Sequence, residues 1–102
     1  MHPLIENNLP QIRELCEKHK VKRLYVFGSA LRDDFKPGES DVDFLVELSY
    51  SNPHEHRLSY YGLLHGLEEI LSSEIDLIEL ETISNPYFLE AINKTRRGVY
   101  AA

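Results

Sequence analysis

Ser40-Asp41-Val42-Asp43-Phe44-Leu45-Val46-Glu47-Leu48 reads as a β-strand with two unlike faces. Side chains alternate along a strand, so Val42, Phe44, Val46 and Leu48 share one side while Asp41, Asp43, Leu45 and Glu47 take the other. The apolar side must be covered, and the acidic pair sits at the strand's entry. Towards the N-terminus, Leu24-Tyr25-Val26-Phe27 is a β-branched and aromatic run stopped by Gly28, which predicts a short buried strand. Towards the C-terminus, residues 75–80 predict a third strand, in which Asp76 alternates with Ile75 and Leu77.

Helical patterns surround these runs. Leu9, Ile12, Leu15 and Cys16 recur three and four apart within residues 9–20, with Asn8 as a cap and Pro10 in the first turn. Residues 30–35 predict a turn or two of helix. Asn52-Pro53 opens a long helix ending near Ser72, whose buried side is expected to carry Leu64, Leu67 and Leu71, with Leu58, Tyr60 or Tyr61 a turn or two earlier. Asn85-Pro86 repeats the device for a last helix through about Arg96. Gly98 is expected to end that helix, and Val99-Tyr100 to add a short edge strand. This order, α-β-(α)-β-α-β-α-(β), places a small sheet under helices, an α/β class. Spacing leaves strand direction open: residues 49–74 allow a parallel crossover, and the shorter span between Phe27 and Val42 allows either orientation.

The 102 residues hold 42% hydrophobic and 27% charged side chains, a globular mixture rather than a disordered one. One domain over residues 1–102 is expected. Eleven Lys and Arg against seventeen Asp and Glu give a net charge of −6, which argues against a broad basic face for nucleic acid but not against phosphates handled through cations. Cys16 is the only cysteine, so neither an internal disulfide nor a multi-Cys zinc site can form. No apolar run approaches the ~20 residues that cross a bilayer, and the first residues lack a signal-peptide layout, so no membrane association and a cytoplasmic location are expected.

Asp41 and Asp43 project in one direction, and two ionised carboxylates that close repel unless a cation compensates. Magnesium fits: it typically takes one or two carboxylates and completes its shell with substrate phosphates. Alone, such a pair is more often a turn residue beside a solvent-facing one. Gly28-Ser29, at the end of the preceding strand, offers backbone N–H groups and a hydroxyl to an anion. Arg32 lies near enough to clamp a phosphate, Ser40 can shape the turn before the pair, and Asp76 in an apolar strand calls for a cation, a hydrogen-bond network or solvent. His54 and His56 stand two apart, poor spacing for a helical metal site. With Tyr60, Tyr61 and His65 they are expected at the core edge or on a partner-facing surface. Tyr87 and Phe88 are expected to pack rather than contact a base. Lys94, Arg96 and Arg97 complement a helix end, and Cys16 is a small core residue.

Phe27-Gly28-Ser29-Ala30-Leu31-Arg32, then Ser40-Asp41-Val42-Asp43-Phe44-Leu45-Val46, then Asp76, together resemble the DNA polymerase β-like nucleotidyltransferase superfamily. The pattern is most similar to the minimal nucleotidyltransferase (MNT) domains that act as antitoxins to HEPN-domain toxins. The resemblance covers most of the chain, and its joint motif is specific where its fragments are not. One departure is visible: eleven residues separate Ser29 from Asp41, one more than is common in that branch, and the surplus falls in Lys36-Pro37-Gly38-Glu39. A longer loop, not a lost site, is expected.

The resemblance implies a small mixed sheet of three to four strands flanked by helices. It implies Gly28 and Ser29 on the β- and γ-phosphates of a nucleoside triphosphate, with Arg32 and Ser40 beside them. It also implies Mg²⁺ on Asp41, Asp43 and Asp76, the last helping to deprotonate the attacking hydroxyl. The implied donor is ATP, the implied acceptor a tyrosine of a HEPN toxin, and the implied role an antitoxin that AMPylates its partner. The alternative is a binding module that neutralises a HEPN partner by contact with weak or no catalysis. RNA or antibiotic acceptors, and a glycosyltransferase, are disfavoured because the chain leaves no space for an acceptor domain. Direct nucleic-acid binding is not expected, and homo- or hetero-oligomeric assembly stays open.

Overall fold

A computed structural model describes residues 2–31, 35–36 and 38–102, the side chain of Ser29 excepted. In chain order its elements are α1 (Pro3–Glu6), α2 (Leu9–Lys18), β1 (Val21–Phe27), a 3₁₀ turn (Gly28–Leu31), β2 (Val42–Leu48), α3 (Pro53–Leu71), β3 (Ile75–Glu79), a second 3₁₀ turn (Leu80–Thr82), α4 (Pro86–Thr95) and β4 (Arg97–Ala101). The sheet runs β3-β2-β1-β4. β1 is antiparallel to β2 and to β4, whereas β2 and β3 are parallel, joined by the α3 crossover. The sheet is therefore mixed, as the resemblance implies.

The alternation in β2 sets the layers. Val42, Phe44, Val46 and Leu48, with Leu24, Val26, Leu77 and Val99, form one sheet face and pack against Ile5 of α1, Ile12 and Cys16 of α2, and Leu63, Leu67 and Leu71 of α3. On the opposite face Leu45 is fully buried with Phe27 under Ile92 of α4, and Tyr25 and Ile78 pack against them. That second cluster is small, and it ends where the acidic residues begin.

The helix starts follow their caps. Asn52 accepts from the Glu55 N–H at 2.9 Å, and Asn85 accepts from the N–H groups of Tyr87 and Phe88 at 2.9 and 3.3 Å. Asn8 makes no such bond; its side chain donates to the Leu4 carbonyl instead, because the unforeseen α1 supplies that acceptor. The first long helix stops at Lys18, since His19 caps it and Lys20 turns left-handed with φ 58° to enter β1.

Three further expectations are corrected. The buried side of α3 is Ser59, Leu63, Leu67 and Leu71, with Leu64 only half-buried and Leu58 and Tyr61 on the outer surface. Gly98 does not end α4; it lies inside β4, because the chain passes straight from Arg96 into pairing with β1. Of the helix expected over residues 30–35, the described part is a 3₁₀ turn, Gly28–Leu31; residues 32–34 lie outside the described set. Tyr87 does not pack but is 81% exposed.

Cys16 is fully buried, and burial pushes its thiol pKa from an ordinary 9.0 up to about 12. The unfolded chain releases this proton first as pH rises, so the stabilising contribution of the neutral thiol is complete below about pH 9 and is lost progressively towards pH 12. Denaturant unfolding at about pH 8 and about pH 10.5 should therefore show a larger loss in the native chain than in Cys16→Ala; equal losses would contradict this. Among the described residues, no helix is long and apolar enough to cross a membrane.

Candidate active site

β1 ends at Phe27 and the chain turns sharply at Gly28, whose φ of +70° favours glycine. The turn also needs glycine for space: a Cβ there would stand 2.2 Å from Asp43 Oδ2. Phe27 pairs with Asp43 across the antiparallel ladder, and Asp43 pairs with Asp76 across the parallel one. Directly paired residues share a sheet face, so Phe27, Asp43 and Asp76 form a row across three strands. Strands lie about 4.7–4.9 Å apart, which makes the two carboxylates near neighbours. A bond from the Val42 N–H to the Glu74 carbonyl, 2.9 Å, aligns the entries of β2 and β3 and fixes this register.

Asp43 is half-buried, while Asp76 and Asp41 are exposed. Of the three ways to hold a carboxylate in the apolar run of β3, solvent is open to Asp76, and so is a cation reached from that solvent. Asp41 stands one residue ahead of β2, at the same end of the sheet. The loop delivering it is tied back on itself. The N–H groups of Glu39 and Ser40 donate to the Lys36 carbonyl at 3.0 and 2.8 Å, and Ser40 Oγ accepts from the Lys36 N–H at 3.2 Å. Ser40 thus shapes the turn that leads into the acidic pair. Ser29 contributes its backbone to the 3₁₀ turn, its side chain lying outside the described set, as does Arg32 entirely.

The surroundings explain what is not part of the row. His56 Nε2 bonds Glu79 Oε1 and its ring stacks on Tyr50 at 4.4 Å, pinning α3 to β3. Tyr60 donates to the Leu77 carbonyl at 2.6 Å, and burial, with Glu79 next, pushes its phenol pKa up. Arg96 lies 4.2 Å from the centre of the Tyr25 ring, so the end of α4 is fastened to β1 by a cation–π contact. At the other end of α4, Phe88 meets Phe27 edge-on, ring centres 6.5 Å apart. Phe88 is the neighbour of the row that sequence did not single out for function.

Among the described residues, no three His, Cys, Asp or Glu groups converge closely enough to hold an ion unaided. The donors still fit Mg²⁺, which takes one or two carboxylates and leaves the remaining positions to water and phosphate. The missing Cβ at Gly28 is what lets the Asp43 carboxylate lie against the bend. An anion at the bend, a cation on the row and an acceptor in the open water beyond constitute an arrangement suited to phosphoryl chemistry.

Residues 11–99 match the family model described as the nucleotidyltransferase domain, a span that runs from α2 to β4 and includes the whole row. The chain belongs to that family. This nucleotidyltransferase is similar to two Methanocaldococcus jannaschii proteins named as candidate protein adenylyltransferases. MJ1379 is 35% identical over 94 residues, covering 84% of this chain and 92% of its own. MJ0128 is 36% identical over 80 residues, covering 78% of each. Solved structures share the fold. A candidate minimal nucleotidyltransferase superposes with a TM-score of 0.75 at 23% identity, over 95% of both chains. A toxin–antitoxin structure with AMP-PNP gives 0.70 at 20% identity, over 93% of this nucleotidyltransferase and 74% of that chain. A tri-AMPylated Shewanella oneidensis HEPN toxin in complex with its MNT antitoxin gives 0.65 at 19%, over 96% and 73%.

Proposed function

We propose that this nucleotidyltransferase moves AMP from ATP onto a tyrosine hydroxyl of a HEPN toxin partner and thereby acts as its antitoxin. The observation that carries the reading is the Phe27–Asp43–Asp76 row standing against the Gly28 bend. The backbone N–H groups at Gly28 and Ser29 receive the β- and γ-phosphates. Arg32 and Ser40 are assigned to the same phosphates by position in the motif. Asp41, Asp43 and Asp76 would hold Mg²⁺, which when bound offsets the charge of the triphosphate and of the departing pyrophosphate. Asp76, exposed at the sheet edge, accepts the proton of the incoming hydroxyl. The hydroxyl oxygen bonds the α-phosphorus as the bridging bond to the β-phosphate breaks, and pyrophosphate leaves.

Two neighbours support the choice of partner: one toxin–antitoxin structure holds AMP-PNP, and another contains an AMPylated HEPN toxin with its MNT antitoxin. The exposure of Asp41 and Asp76 supports a macromolecular acceptor, because nothing among the described residues closes over them. A partner that completes the cleft also excludes water, so the isolated chain is expected to be a poor enzyme. Incubation with labelled ATP and Mg²⁺, with and without a co-purified HEPN protein, tests this. Label on the partner's tyrosine is the expected result. Equal ATP turnover in both samples would remove the partner's part in the site, and an unlabelled partner would remove the proposed transfer.

A further inference from the structure

Phe88 is an apolar ring left 42% exposed beside a charged row. Its place is fixed from two sides. The Asn85 cap holds its N–H, and Ile92 one turn later is buried with Phe27 and Leu45 on the face that carries the row, so α4 cannot roll to hide the ring. Phe88 meets Phe27 edge-on, and Phe27 is the cross-strand partner of Asp43. Ile78, Leu80 and Ile83, only partly buried, continue the apolar ground next to Asp76. A carboxylate row beside a backbone bend thus adjoins an apolar ledge that carries a partly exposed aromatic ring. A ligand matching both halves is a polyanion carried with its divalent cation at one end and flat and apolar at the other.

We propose that Phe88 is the platform on which the nucleobase of the bound nucleotide stacks, an inference that rests on the row being a nucleoside triphosphate site. Stacking on an aromatic side chain is tolerant of base identity, so Phe88 contributes affinity for the nucleoside and leaves discrimination between bases to other groups. The rival occupant of this ledge is the protein acceptor.

The chain contains no tryptophan, so Phe88→Trp installs a single indole reporter. Titration of this variant with Mg·ATP should quench its emission, and titration with Mg·tripolyphosphate should not. In calorimetry, Phe88→Ala should weaken ATP about tenfold and leave tripolyphosphate unchanged, with Phe88→Trp restoring ATP affinity. Equal weakening of both ligands, or of neither, overturns the platform, as does native protein that binds ATP no tighter than tripolyphosphate. Loss of partner labelling in Phe88→Ala with ATP affinity intact assigns the ledge to the acceptor and overturns it too. Native protein that binds neither ligand would remove the triphosphate site itself, and the platform with it.

Discussion

Asp43→Asn is expected to lower nucleotidyl transfer by on the order of 10³-fold while the far-ultraviolet dichroism of the chain stays unchanged. Asp43 is the middle of the row, paired with Phe27 on one side and Asp76 on the other, and its Oδ2 borders the Gly28 bend. Asparagine keeps the shape and removes the charge, so the loss reads the carboxylate's chemistry and not its volume. Asp41→Asn, at the exposed entry of β2, should act in the same direction. The measurement is labelled transfer to the partner together with neutralisation of the partner's toxicity. Both should fall together. If transfer vanishes and neutralisation survives, the protein protects by contact, and the catalytic account of the proposed antitoxin role is wrong.

Gly28→Ala should fail in two ways at once. The left-handed backbone, φ +70°, costs a residue with a Cβ about 1–2 kcal/mol. The new methyl would also meet Asp43 Oδ2 at 2.2 Å, so the carboxylate must swing away or the bend must open. Misplacement on this scale costs about 10²-fold in rate. Gly38→Ala is the internal comparison, because Gly38 has φ +82° with nothing within 4 Å of the added methyl. Denaturant unfolding should show a loss of about 1–2 kcal/mol in both variants, but transfer should collapse only in Gly28→Ala. Equal transfer in the two would mean that the close approach of Gly28 to Asp43 has no catalytic meaning.

β2 could be read residue for residue because its two faces differ in kind, and a one-residue slip would have buried Asp43 and exposed Phe44. The acidic pair and the glycine bend were readable for the same reason: each sits where a strand begins or ends. Their closeness was not, since the register that sets Asp76 beside Asp43 depends on how the α3 crossover docks, and spacing permits either strand direction. The buried side of α3 was misassigned because leucines occupy more than one stripe of that helix. The deciding signal was Gly62 and Gly66, where a Cβ would come within 2.3 Å of His19 and 2.5 Å of Leu15. Two glycines four apart inside a helix mark where another helix presses in, and they orient α3 with Leu63 and Leu67 inward. Phe88 packs on Phe27 as expected, whereas Tyr87 does not, because helix periodicity gives a ring a side but cannot say whether a neighbouring layer is there to cover it.

The row is shared among three strands whose pairing draws on chain segments from Val21 to Glu79, with the bend and both carboxylates in different segments. No local fragment therefore owns the proposed nucleotide site, and an unfolded chain has none of it. Occupancy by nucleotide should register as a rise in the midpoint of global melting, growing with the logarithm of ligand concentration, so that a thermal-shift titration doubles as an affinity measurement.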